Sequence, residues 1–186
     1  MESKFKVKGT GLNSTGKYVS VKFPNDYDKW KNELPAESKR LYTEIINATE
    51  WYGVDDAYYY PVKKIAELFF DGDEKKAAYD IGEFSAEFAL KGVYKVYLMI
   101  ARPQSLMKAS KRIIAKYYDP VTVEIDDIEK KSLVLSTTVI HNSGMLDYRT
   151  IGWCVKALSL ANCKNVQYEK IDARYPEMFS IKLSWD

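Results

Sequence analysis

The chain has 186 residues, of which 46% are apolar and 29% charged, so it can bury a substantial core. Its 28 basic and 26 acidic side chains leave a net charge of +2, which gives no long-range field to recruit nucleic acid or an anionic membrane. No apolar stretch is long enough for a membrane span, the N-terminus lacks a signal-peptide core, and two cysteines make no disulfide framework; a cytoplasmic location is expected.

In chain order, Lys4 to Lys8 and Lys17 to Phe23 alternate apolar and polar around a segment rich in Gly, Asn and Ser, which predicts an N-terminal β-hairpin. Helical signals then run from residue 24 to about 118. Trp30 and Leu34 share one face, and a new helix starts near Pro35 and continues through Leu41, Ile45 and Ala48. Tyr58, Val62, Ile65, Ala66 and Phe69 line the next helix, and Asp73 is a candidate N-cap for the one after it. In that helix Ala77, Ile81, Phe84, Ser85 and Phe88 form one side, and Gly82 costs about 1 kcal/mol against Ala unless another backbone packs there. Val93, Val96, Tyr97 and Ile100 make a further face, and residues 105–118 an amphipathic one.

From residue 119 the pattern becomes strand, strand, helix, strand, strand. Val121, Val123 and Ile125 alternate, Leu133 to Ile140 follows, and Ile151, Cys154, Val155, Leu158 and Ala161 place a stripe on a helix. The segments from Val166 to Ile171 and from Met178 to Trp185 complete a four-stranded antiparallel sheet. The expected architecture is one α+β domain over residues 1–186, with five to six helices as a layer against a ββαββ sheet.

Chemistry-bearing motifs are sparse. His141 is the only histidine, which excludes a His-rich metal site and any scheme needing two imidazoles. Cys154 and Cys163 project to nearly opposite sides of one helix and read as buried small residues. The Gly9–Gly16 segment lacks the order of a phosphate loop, and Asp71, Asp73 and Glu74 lack EF-hand spacing; no metal site is expected. Lys108, Lys111, Arg112 and Lys116 form a basic stripe that reads first as a solvated helix face. The 15 tyrosines and the aromatics at helical spacing suit core packing or the wall of a pocket.

Taken together, several motifs resemble an uncharacterised family abundant in myxobacteria. They are the segment from Phe5 to Phe23, the Trp51-Tyr52 turn, Gly72-Asp73, Asp80-Ile81-Gly82, Arg102-Pro103, Ile151-Gly152-Trp153 and the closing Ser184-Trp185. That family is similar to the H-NOX haem domains, the 4-vinyl reductase domains and the TRAPP-type Golgi transport subunits. The resemblance implies a helical layer on a twisted antiparallel sheet, an apolar cavity between them and a tendency to form homodimers. It does not carry haem across: the family's helix histidine and its tyrosine–serine–arginine motif have no match here, so the cofactor is left unknown. Nor do Cys154 and Cys163 reproduce the 4-vinyl reductase cysteine cluster.

The expectation is therefore a non-enzymatic small-molecule sensor or ligand-binding module, with Phe84, Phe88, Tyr97, Ile113 and Trp153 lining the cavity. One alternative is a dimerisation or partner-binding module resembling the TRAPP subunits. Another is an enzyme acting on a hydrophobic substrate through His141 and Asp147.

Overall fold

The computed structural model describes residues 4–90 and 102–186. The expected N-terminal hairpin is not formed. Strand β1 (Lys6–Lys8) leads directly into helix α1 (Gly9–Lys22). Leu12, Thr15, Tyr18 and Val19 recur at helical spacing and are buried on one face, while Val21, which continues the alternation, is exposed. Residues that usually mark turns are put to other uses: Ser14 Oγ donates back to the Gly11 carbonyl at 2.8 Å. A Cβ on Gly11 would lie 2.3 Å from the Tyr58 hydroxyl, so the glycine makes room for that ring. Tertiary packing here overrides local propensity.

A 3-10 turn at Pro24–Asp26 precedes α2 (Tyr27–Asn32), and α3 (Ala36–Leu41) follows the break at Pro35. The expected extension of α3 through Ile45 and Ala48 is absent, and Ile45 is fully exposed. Those backbone groups have another partner. The open N–H groups at the start of α1 donate to the carbonyls of Glu50 (from Gly9, 2.9 Å) and Ala48 (from Thr10, 3.2 Å). Residues expected to form only a turn make β2 (Trp51–Gly53), which pairs antiparallel with β1. Strand β3 (Tyr118–Asp119) pairs with the other edge of β1 and completes a three-stranded sheet in the order β2-β1-β3.

A π-helical turn at Asp55–Tyr59 runs into α4 (Tyr60–Phe69), with Val62, Ile65 and Ala66 buried. Helix α5 (Glu74–Leu90) begins as expected at Asp73, whose carboxylate accepts the Lys76 N–H at 3.0 Å. Helix α6 (Pro103–Tyr117) buries Leu106 and Met107 and turns Lys108, Lys111, Arg112 and Lys116 to solvent. Among the described residues no helix is long and apolar enough to cross a membrane.

The second sheet has the order β4-β5-β7-β6, antiparallel throughout, from β4 (Val123–Asp126), β5 (Ser132–Thr138), β6 (Gln167–Ile171) and β7 (Met178–Ser184). Helix α7 (Met145–Leu160) connects β5 to β6 and packs on this sheet. Ile151, Cys154 and Leu158 of the helix share a core cluster with Leu133 and Leu135 of β5 and with Phe179, Ile181 and Leu183 of β7. Helix α5 lies on α7, joining the helical layer to the sheet-bearing part. The protein is thus α+β, a helical layer over antiparallel sheet.

Candidate functional site

Where α5, α6 and α7 approach the start of α1 they leave a cavity of about 430 Å³. Helix α5 supplies Ser85, Phe88, Ala89 and Leu90, and α6 supplies Ile113, Ile114, Lys116 and Tyr117. Helix α7 contributes Arg149, Thr150 and Trp153, while Thr10, Gly11 and Ser14 come from α1, Tyr58 from the π-helical turn and Tyr118 from β3. Phe88 and Ser85 lie three residues apart on α5, and Arg149 and Trp153 four apart on α7. Helical geometry therefore puts each pair on one face, a polar group beside an aromatic one. The size is that of a small-molecule site.

Of the five residues expected to line a cavity, Phe88, Ile113 and Trp153 do so. Phe84 points elsewhere and packs edge-on against Tyr18, with ring centroids 5.4 Å apart. Tyr97 lies outside the described residues, as do Val93, Val96 and Ile100.

The polar end centres on Arg149, which is only 5% exposed. Its Nη1 donates to Thr15 Oγ1 at 2.9 Å, and Nη2 to Ser14 Oγ at 3.0 Å and Ser85 Oγ at 3.3 Å. The guanidinium also lies over the Tyr58 ring, 4.0 Å from its centroid. Burial pushes the Tyr58 phenol well above its ordinary value of 10.0, the neighbouring Tyr118 adds to this, and Arg149 opposes it. Tyr58 therefore stays protonated, as a neutral wall group. Burial likewise raises the phenols of Tyr42 and Tyr118, again against Arg149. Sequence reasoning passed over Arg149, although a signal was present: Met145 four residues before it and Trp153 four after it place it on a helix face with bulky apolar residues.

His141 and Asp147, the acid–base pair of the enzyme alternative, do not line the cavity. His141 stacks on Tyr59 at 3.9 Å, and its Nδ1 lies 2.8 Å from Ser143 Oγ. Asp147 Oδ2 accepts from Lys170 Nζ at 3.2 Å. Its Oδ1 is buried without a partner among the described residues; burial raises the carboxyl, and Lys170 opposes the shift. Cys154 and Cys163 are both buried. A second hollow, of about 410 Å³, lies over β6 and β7 and is lined by polar groups such as Glu129, Lys131, Glu169 and Lys182. Of the two, only the helical cavity combines apolar walls with a buried charge.

No protein-family model matches the chain, and no curated protein matches it. Solved structures do. An H-NOX protein from S. oneidensis in the Fe(II)NO ligation state superposes with a TM-score of 0.73 at 10% identity, covering 96% of this chain and 99% of that one. An Fe(II) unliganded H-NOX protein from K. algicida gives 0.69 at 14% identity, with 96% of each chain covered. An oxygen-binding H-NOX domain related to soluble guanylate cyclases gives 0.69 at 12% identity, covering 96% and 95%. A histidine-ligated haem does not fit the cavity, because the chain's single histidine is held outside it by Tyr59 and Ser143. The chain has the H-NOX fold, arranged around a cavity whose described lining contains no histidine, cysteine or carboxylate.

Proposed function

We propose that the chain is a ligand-binding module, a sensor that takes a small molecule with an apolar body into the cavity between α1, α5, α6 and α7 and does no chemistry on it. The observation that carries this reading is the cavity itself: about 430 Å³, walled by Phe88, Leu90, Ile113, Ile114 and Trp153, with polar groups gathered at Arg149. A site with convergent apolar walls and a few placed polar groups is built for binding. The described lining supplies hydroxyls and two cations but no histidine, carboxylate or thiol, which favours binding over acid–base catalysis. Occupancy would be passed on through α5 and α7, because both line the cavity and pack on one another.

Native mass spectrometry of protein isolated from cells, before and after denaturation, tests the reading. A mass retained by the folded chain and released on denaturation is expected, and replacing Ile113 by Trp should abolish it by filling the site. Identical native and denatured masses across growth conditions would sink the reading.

A further inference from the structure

Arg149 brings a full positive charge into the cavity wall, and no negative one among the described residues matches it. An arginine does not shed its proton in a protein, so the charge persists when the side chain is buried. Its hydrogen-bond acceptors are the hydroxyls of Ser14, Thr15 and Ser85, its plane lies over the Tyr58 ring, and the Tyr118 hydroxyl is a further partner. All five are neutral. Among the described residues no carboxylate pairs with Arg149. Lys116, exposed on α6, is a second cation in the lining, and no described lining residue is acidic.

A buried unpaired cation is costly, and such groups are paired or serve to recruit a partner charge. The bonds to Ser14, Thr15 and Ser85 use three of the five guanidinium N–H groups, so even with Tyr118 as a fourth partner a donor is left for an incoming anion. One buried guanidinium matches one planar carboxylate in charge and shape. From Arg149 the wall continues on the same helix face to Trp153, and from Ser85 on α5 to Phe88. We infer that the ligand is an amphipathic monocarboxylate, its head on Arg149 and its apolar body along Phe88, Ile113 and Trp153. This rests on the reading of the chain as a ligand-binding module and names the ligand class.

Calorimetric titration of the full chain with octanoate, 1-octanol and octylammonium tests the inference. Octanoate should bind at least about tenfold more tightly than either of the others, as one charge-assisted hydrogen-bonded contact implies. The preference should vanish when the octanoate is protonated at acid pH. Arg149→Gln, which keeps polar contacts to the hydroxyls, should bind octanoate and 1-octanol nearly alike. Equal binding of octanoate and 1-octanol by the unaltered chain would overturn the carboxylate assignment while leaving the ligand-binding reading in place. Preference for octylammonium would overturn it too. Failure of all three to bind would also overturn it, and the retained-mass experiment then decides separately whether the wider reading falls. If Arg149→Gln does not fold, the comparison of the three probes on the unaltered chain still decides.

Discussion

Gly82 on α5 and Gly152 on α7 let two helix backbones touch. A Cβ built on Gly82 would lie 2.1 Å from the Arg149 carbonyl oxygen, and one on Gly152 the same 2.1 Å from that of Tyr79. Neither obstacle is a side chain that can swing away. On an exposed helix, Gly→Ala stabilises by about 1 kcal/mol. At this crossing the sign reverses, and Gly82→Ala and Gly152→Ala should each cost about 1–3 kcal/mol in urea unfolding as the helices are pushed apart. The double variant should cost less than the two together, because the first substitution has already opened the crossing. Full additivity would show that the two glycines act at separate contacts. Since Arg149 and Trp153 flank Gly152 on the same helix, ligand affinity should fall with stability.

The Gly82 contact was conditionally legible: a glycine within an apolar helical pattern signals either a penalty or a close approach, and the partner glycine lay in the Ile151-Gly152-Trp153 segment. The four-stranded sheet was legible for a similar reason, because Phe179, Ile181 and Leu183 alternate cleanly into the core. The segment after β1 was not. Val19 and Val21 fit a period of two, whereas Leu12, Thr15, Tyr18 and Val19 fit a helical one, and the choice depends on Tyr58 and residues 48–50, which are remote in sequence. Of the site, the apolar wall at Phe88, Ile113 and Trp153 could be named from aromatic and aliphatic spacing. The polar end could not, because Ser14, Ser85 and Arg149 meet only through tertiary contacts across more than sixty residues.

His141 should make stability depend on pH. Burial lowers its imidazole below the ordinary 6.5, against Asp55 and Glu74, which raise it. The Ser143 N–H donates to Nδ1 at 3.2 Å, and Ser143 Oγ accepts the Met145 N–H at 3.2 Å where α7 begins. A proton on Nδ1 would therefore displace contacts that hold the start of α7. The unfolded chain binds that proton more readily than the folded one, so the contribution is intact above pH 6.5 and is lost as the pH falls through 6.5 toward the folded value. In urea titrations on either side of that pH, the unaltered chain should lose more stability than His141→Gln. Equal losses would remove His141 from the account.

The two cysteines should resist thiol reagents while the chain is folded. Burial alone pushes the Cys154 thiol up to about 12 and the Cys163 thiol to about 11. Thiolate is the reactive form, and at neutral pH both sites hold almost none. An aromatic disulfide reagent should label neither cysteine in buffer and both in denaturant, with Cys163 responding first at intermediate urea because it lies beyond the end of α7. Rapid labelling of Cys154 without denaturant would contradict its place in the core between α7 and the sheet.

Ser136 and Ser180 are register partners on β5 and β7, and their hydroxyl oxygens lie 2.8 Å apart in a buried site. Ser180 Oγ also accepts the Arg174 N–H at 3.1 Å, which draws the loop after β6 across the sheet. The loop is held further by the Arg174–Asp127 ion pair and by Tyr175, whose hydroxyl donates to Asp126 at 3.0 Å. Ser180→Ala therefore leaves the buried Ser136 hydroxyl and the Arg174 N–H without their partner, and should cost about 1–3 kcal/mol. Ser136→Ala leaves Ser180 with Arg174 and should cost less. When both are alanine the orphaned hydroxyl of Ser136 is gone, so the pair should lose less than the two single losses combined. Limited proteolysis separates the roles: cleavage near Arg174 should accelerate in Ser180→Ala and hardly at all in Ser136→Ala, because only Ser180 bonds to the loop.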